Sequence, residues 1–388
     1  MSASGSSPAA RPAAVTPFVA HAPQAVLDDL TDRIRRTRWL AVPDGAGWSA
    51  GTDRAFLQEL AAYWADGFDW RAVEAEANAY PNFTTDVDGA RVHFVHVKGR
   101  GPNPVPLLLT HGWPGSFLEM LRIIPLLTAA GPVSFDVVIP SVLGFGYSGP
   151  CAAPGCDSFV VATVWHRLMR RLGYDRYGVQ GGDIGAGVGT WLALTEPDAV
   201  LGLHLNYIPG SYAPYRPPGA TPSSEAVAYA ARKQDWTARE GAYAALHGTK
   251  PLTAAYGLND SPVGLCAWIV EKFYSWSDHG PDQRLPFTPD ALLANVTLYW
   301  VTQSIYTSMA IYRGNARRPL AFGPGDYVRV PTAFAQFPRE LPTPPRAEVE
   351  QGYNIRRWTA MPAGGHFAAM EQPGLLADDL AAFFSALR

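Results

Sequence analysis

Five residues constrain this chain more than any others: Gly181-Gly182-Asp183-Ile184-Gly185. The preceding Tyr177-Gly178-Val179-Gln180 reads as a strand, and residues 186–194 read as a helix. A strand that turns sharply into a helix, with small residues around one functional side chain, is a nucleophile elbow. The glycines are required because the turn forces strained backbone angles and the two elements approach closely. A carboxylate at the apex points to an alkyl-ester intermediate rather than an acyl-enzyme. The competing interpretation is an aspartate that merely caps the following helix. A short motif needs its structural surroundings to decide between them.

The surroundings agree with the elbow. Strand-like runs at 91–97, 105–110, 135–140, 177–180 and 201–207 alternate with helical runs at 116–128 and 158–172. Such alternation predicts a doubly wound α/β sheet with right-handed crossovers. The run at 105–110 is continuously apolar, as expected of a strand buried on both faces. Helical spacing also predicts helices over 23–39, 52–66 and 70–78, a segment too small to stand alone that should pack on the rest. Alternation stops near Gly210, and residues 211–323 read as an aromatic helical lid. Strands return at 327–332 and 354–361, and a helix over 374–387 closes the chain. The expected layout is a disordered tail (1–17), an N-terminal extension (18–90), a core in two parts (91–210 and 324–388) and the lid between them.

Composition narrows the function. With 31 basic and 34 acidic residues, the net charge of −3 leaves no basic footprint for nucleic acid. No run of about 20 apolar residues predicts a membrane span. The three cysteines, Cys151, Cys156 and Cys266, suit a reducing cytoplasm, with Cys151 and Cys156 expected as free thiols. His93 and His96 lie three apart on a strand, so they face opposite sides and cannot share a metal. No metal or cofactor is expected.

The remaining chemistry lies at the ends of strands. His111-Gly112-Trp113-Pro114 follows the buried strand, where the Trp113 amide can form an oxyanion hole with that of Ile184. Gly364-Gly365-His366-Phe367 follows the last strand, which makes His366 the natural base. The acid should lie between elbow and base, beyond the strand at 327–332. Glu340 fits, whereas Asp326 precedes that strand and lies at the wrong end of the sheet. The electrophiles an aspartate nucleophile opens are epoxides and alkyl halides.

These motifs resemble those of the microsomal-type epoxide hydrolases, a branch of the α/β-hydrolase fold. The resemblance runs from about residue 18 to the end. It includes residues 70–98, His111-Gly112-Trp113-Pro114-Gly115-Ser116, the elbow, Leu258-Asn259-Asp260-Ser261-Pro262-Val263-Gly264-Leu265, Val330-Pro331-Thr332 and Gly364-Gly365-His366-Phe367-Ala368-Ala369. It implies Asp183 as nucleophile, Glu340 as acid and His366 as base. It further implies two lid tyrosines that hydrogen-bond the epoxide oxygen, mapping to Tyr243 and Tyr312, with Tyr306 the rival for the second. Membrane-bound members carry an N-terminal anchor not read here, so a soluble, cytoplasmic protein is expected, with a homodimer a possible assembly. Similar soluble forms occur in antibiotic pathways, including those of enediynes. The aromatic lid (Trp236, Trp268, Tyr274, Trp276, Tyr299, Trp300) favours an aryl epoxide if some of these face the pocket. The alternatives are a haloalkane dehalogenase, expected to carry Trp where Ile184 stands, and a catalytically inactive ligand-binding hydrolase fold.

Overall fold

The computed structural model describes residues 14–41, 45, 47–151, 155–280 and 284–388. Among the described residues, nine strands form one sheet: β1 (Thr16–Phe18), β2 (Asn82–Val87), β3 (Ala90–Val97), β4 (Val105–Thr110), β5 (Phe135–Pro140), β6 (Tyr177–Gly181), β7 (Val200–Leu205), β8 (Val328–Gln336) and β9 (Tyr353–Ala360). Their order is β1-β2-β3-β5-β4-β6-β7-β8-β9. From β5 to β9 all pairings are parallel, and β1, β2 and β3 add an antiparallel edge. This is the α/β architecture that the alternation predicts.

Side-chain alternation along β4 explains its unbroken apolar run. Leu108 faces a core layer that includes Trp165 and Leu168 of the helix Ser158–Arg171 and Val188 and Leu192 of the elbow helix Asp183–Thr195. Its neighbours Leu107 and Leu109 face the other layer, with Phe117, Phe383 and Phe384. Both faces are covered, so the run from Leu107 to Leu109 is apolar at every position. The ends of β4, β6, β7 and β8 then converge where the lid crosses the sheet.

Six lid helices lie between β7 and β8 among the described residues, from Ser224–Glu240 to Ile305–Arg317. The N-terminal helices Gln24–Arg35 and Arg54–Asp66 pack on this lid. Buried Trp64 donates through Nε1 to Thr297 Oγ1 at 2.9 Å, and Arg33 pairs with Asp260 at 2.8 Å.

Several expectations need correction. Residues 16 and 17 belong to β1 rather than to a disordered tail; residues 1–13 lie outside the described residues. Asn78 anchors the segment after β1 by bonding both the amide and the carbonyl of Ala20. The run at 116–128 is divided into a 3-10 segment, Phe117–Ile123, and a short α-helix, Ile124–Thr128. Pro125 starts the second piece and has no N–H to continue the first. Cys151 and Cys156 form a disulfide, not two free thiols, with their Cα atoms 5.7 Å apart. Gly155, next to Cys156, adopts φ +97°, a conformation open to glycine.

Candidate active site

The elbow is built by close approach. A Cβ on Gly185 would lie 2.0 Å from the Thr110 carbonyl oxygen, and one on Gly181 would lie 2.3 Å from the Gly185 backbone. Neither position tolerates a side chain, so β6 and its helix can meet β4 only through glycine. Asp183 itself adopts φ +45°, a conformation costing a non-glycine residue about 1–3 kcal/mol. The strain lifts its carboxylate off the sheet into the space below the lid.

There the structure brings the predicted partners together. The Trp113 amide donates to Asp183 Oδ1 at 2.8 Å, and His366 Nε2 lies 3.5 Å from Asp183 Oδ2. His366 Nδ1 is 2.6 Å from Glu340 Oε1, which also accepts from the Leu341 amide at 2.7 Å. Loop-to-loop bonds hold this geometry. The Arg339 amide donates to the Gly364 carbonyl at 3.1 Å, and the His366 amide to that of Trp276 at 2.9 Å. Ile184 follows Asp183 at the start of the elbow helix, where amides have no intrahelical partner, and its side chain borders the cavity above. Burial works against a charged His366. The carboxylates of Glu340 and Asp183 outweigh it and hold the imidazole well above its ordinary value.

Asp183 opens onto a cavity of about 510 Å³ beneath the lid, lined by Tyr207, Trp236, Tyr243, Tyr312 and Leu341 among others. The volume is in the range of small-molecule sites. Tyr243 and Tyr312 hydrogen-bond each other, with ring centroids 5.9 Å apart. Tyr243 also stacks on Trp113 at 5.3 Å. Burial, with Asp183 nearby, pushes both phenols up, so they remain protonated donors. Tyr306, the rival, is 39% exposed and does not line the cavity. Of the lid aromatics, Trp236 faces the cavity directly. Trp276 packs behind the site, with its ring 5.2 Å from that of Tyr243 and 5.1 Å from that of His366, whereas Tyr274 stacks on Trp48, Trp268 bonds His247, and Tyr299 donates to the Gly115 carbonyl.

Sequence reasoning passed over three further residues at this site. Tyr207 lies just beyond β7, with its ring 5.7 Å from that of His366. Asn206 accepts from Gln180 Nε2 at 2.8 Å and lies against Gly182. Glu119 borders a small chamber that also touches Asp183 and His366. The first two follow a parallel strand, and crevices beyond the carboxyl ends of such strands are where ligands bind. That rule could have found them.

Comparison with known proteins shows the family. A family model described as epoxide hydrolase N terminus matches residues 15–120, and one described as alpha/beta hydrolase fold matches residues 105–256. A presumed epoxide hydrolase of Stigmatella aurantiaca is 40% identical, covering 96% of this chain and 86% of its own length. Epoxide hydrolase 1 of Oryctolagus cuniculus is 36% identical, covering 95% and 88%. The crystal structure of juvenile hormone epoxide hydrolase from the silkworm Bombyx mori superimposes with a TM-score of 0.84 at 32% identity, covering 97% of this chain and 94% of that one. No described helix is long and apolar enough to cross a membrane. The chain, with an aspartate elbow facing a lidded cavity, belongs to the epoxide hydrolase family and has the α/β-hydrolase fold.

Proposed function

We propose that this epoxide hydrolase works through a covalent Asp183 ester. The observation that carries the reading is the setting of one carboxylate. Its Oδ1 is held by the Trp113 amide, its Oδ2 faces His366 Nε2, and it opens onto a cavity bearing two mutually bonded tyrosines. Asp183 attacks a ring carbon and the C–O bond breaks. Tyr243 and Tyr312 stabilise the alkoxide, and one gives it a proton. Water then attacks the ester carbonyl while His366 takes a proton from it, with Glu340 orienting the ring and stabilising the imidazolium. The Trp113 and Ile184 amides hold the tetrahedral oxyanion. Collapse releases the vicinal diol and regenerates the Asp183 carboxylate, and the proton on His366 returns to the tyrosine.

Two measurements test this. In a single turnover in heavy-oxygen water, the first diol should carry an oxygen from Asp183 rather than from solvent. His366→Gln should be alkylated and then stall, giving an adduct equal in mass to the substrate. A folded variant that binds substrate but forms no adduct would contradict the assignment.

The substrate class we infer is an aryl epoxide. Tyr207, Trp236 and Trp191 give the cavity flat apolar walls. Its two cations, Lys233 and Arg318, are already engaged, with the Gly210 carbonyl and Asp157. Styrene-oxide-like substrates should therefore exceed short aliphatic and phosphorylated epoxides in kcat/KM, with a preference between enantiomers. The reverse order in a side-by-side panel would refute the aryl assignment alone.

A further inference from the structure

A chamber of about 30 Å³ lies against Asp183, separate from the substrate cavity; Asp183 is the one lining residue the two share. That volume accommodates a water molecule. Its polar walls are Asp183, His366, Gln180, Asn206 and Glu119. A third space, of about 130 Å³, is lined partly by exposed Arg122, Thr288 and Asp290, and Glu119 is the one residue it shares with the chamber. The line from reaction centre to solvent thus runs from Asp183 through the chamber to Glu119 and the surface.

The Glu119 carboxylate is built into this place. The Gly112 backbone hydrogen-bonds it, and a Cβ on Gly115 would lie 2.2 Å from its Oε2, so only glycine at 115 leaves the carboxylate room. We propose that Glu119 and His366 together orient the water that hydrolyses the Asp183 ester, and that this water enters past Glu119 rather than across the bound substrate. The proposal rests on the covalent reading above. The water donates one hydrogen bond to Glu119 and gives its other proton to His366 Nε2. Its oxygen bonds to the ester carbon, and the alkyl oxygen leaves as the product hydroxyl. Burial pushes the Glu119 carboxyl up to about 8; the imidazolium of His366 opposes this and the charge on Asp183 adds to it. Alkylation neutralises Asp183 and removes the like charge, so Glu119 ionises more readily in the ester, where its acceptor is needed.

A residue that only braced the loop would behave differently. The neighbouring Trp113 amide holds Asp183, so a loosened loop would slow alkylation as well as hydrolysis. Rapid-quench mass spectrometry with styrene oxide separates the two steps. Glu119→Gln should alkylate within about threefold of the wild-type rate and hydrolyse the ester at least about tenfold more slowly, a magnitude ordinary for acid–base assistance. kcat and KM should then fall together while kcat/KM holds, and Glu119→Asp should recover part of the loss. Unchanged hydrolysis, or equal losses in both steps, overturns the proposal. Should Glu119→Gln fail to fold, Ala291→Trp, which plugs the surface pocket, carries the same test with the same two outcomes. An absence of any adduct in His366→Gln would count instead against the ester itself.

Discussion

Asp183 is held in the left-handed region at φ +45°, with amide and imidazole on its two oxygens, so the role proposed for it rests on placement as much as on residue type. The same holds for the tyrosines. Tyr243 and Tyr312 are two of 17 in the sequence, and nothing in their local pattern separates them from Tyr306. Burial in the cavity wall does. Tyr243→Phe and Tyr312→Phe should each slow alkylation by about 10²-fold or more, the usual worth of one proton donor. Tyr306→Phe should leave the rate unchanged, and a reversed result for Tyr306 and Tyr312 would sink the assignment. His366 yields a pH prediction at the same scale. Its carboxylate neighbours raise its folded value, and the base must be neutral. Single-turnover hydrolysis should therefore rise with pH and level off once the imidazole has lost its proton. A rate that falls over that range would exclude His366 as the base.

Among the elements, the closing helix Pro373–Ser385 shows how the strand ends are fixed. Its buried Asp379 accepts from Arg357 Nε at 2.7 Å and Thr359 Oγ1 at 2.7 Å on β9, and lies 3.0 Å from His204 Nε2 on β7. Burial alone would raise its pKa, but His204 and Arg357 outweigh it and hold the carboxyl at about 2 against 3.8 when free. The folded value is depressed, so the stabilisation is complete above pH about 4 and is lost as pH falls through about 2. By linkage it amounts to about 2 kcal/mol. Asp379→Asn should cost about 3 kcal/mol, the scale for breaking a buried pair, and should flatten the acid limb of the stability profile. Urea denaturation between pH 2 and 7 measures both, and an unaltered acid limb would show that other carboxylates dominate it. The edge strands were the elements hardest to read. β2 is Asn82-Phe83-Thr84-Thr85-Asp86-Val87, too polar to stand out beside the apolar run of β4, and β1 has only three residues. Pairing with β3, not local preference, makes them strands.

For the whole molecule, the N-terminal helices act through the lid. They have little core of their own, and Trp64 reaches across to Thr297 on the lid helix Pro289–Thr302. The same helix bonds the loop after β4, with Asn295 Nδ2 donating to the Pro114 carbonyl at 2.7 Å. Trp64→Ala should cost about 3–5 kcal/mol by cavity formation. Hydrogen exchange should quicken along Pro289–Thr302 while β4 and β6 keep their protection. Uniform quickening throughout the chain would mean that the extension supports the sheet as a whole.

The sequence by itself determined the parts whose physics is local. The glycine-flanked elbow, the apolar run of β4 and the strand-end positions of His111, His366 and Glu340 each reflect a constraint acting within a few residues. They were enough for the fold class and for placing these side chains at the ends of strands. Tertiary structure alone decided which lid tyrosines face Asp183, that Cys151 pairs with Cys156, and that Glu119 stands between a chamber and the surface. These depend on where separate elements are packed against one another. A side chain on an amphipathic lid helix has the same local signature whether it faces solvent, packing neighbour or substrate, and only the neighbour that covers it distinguishes them.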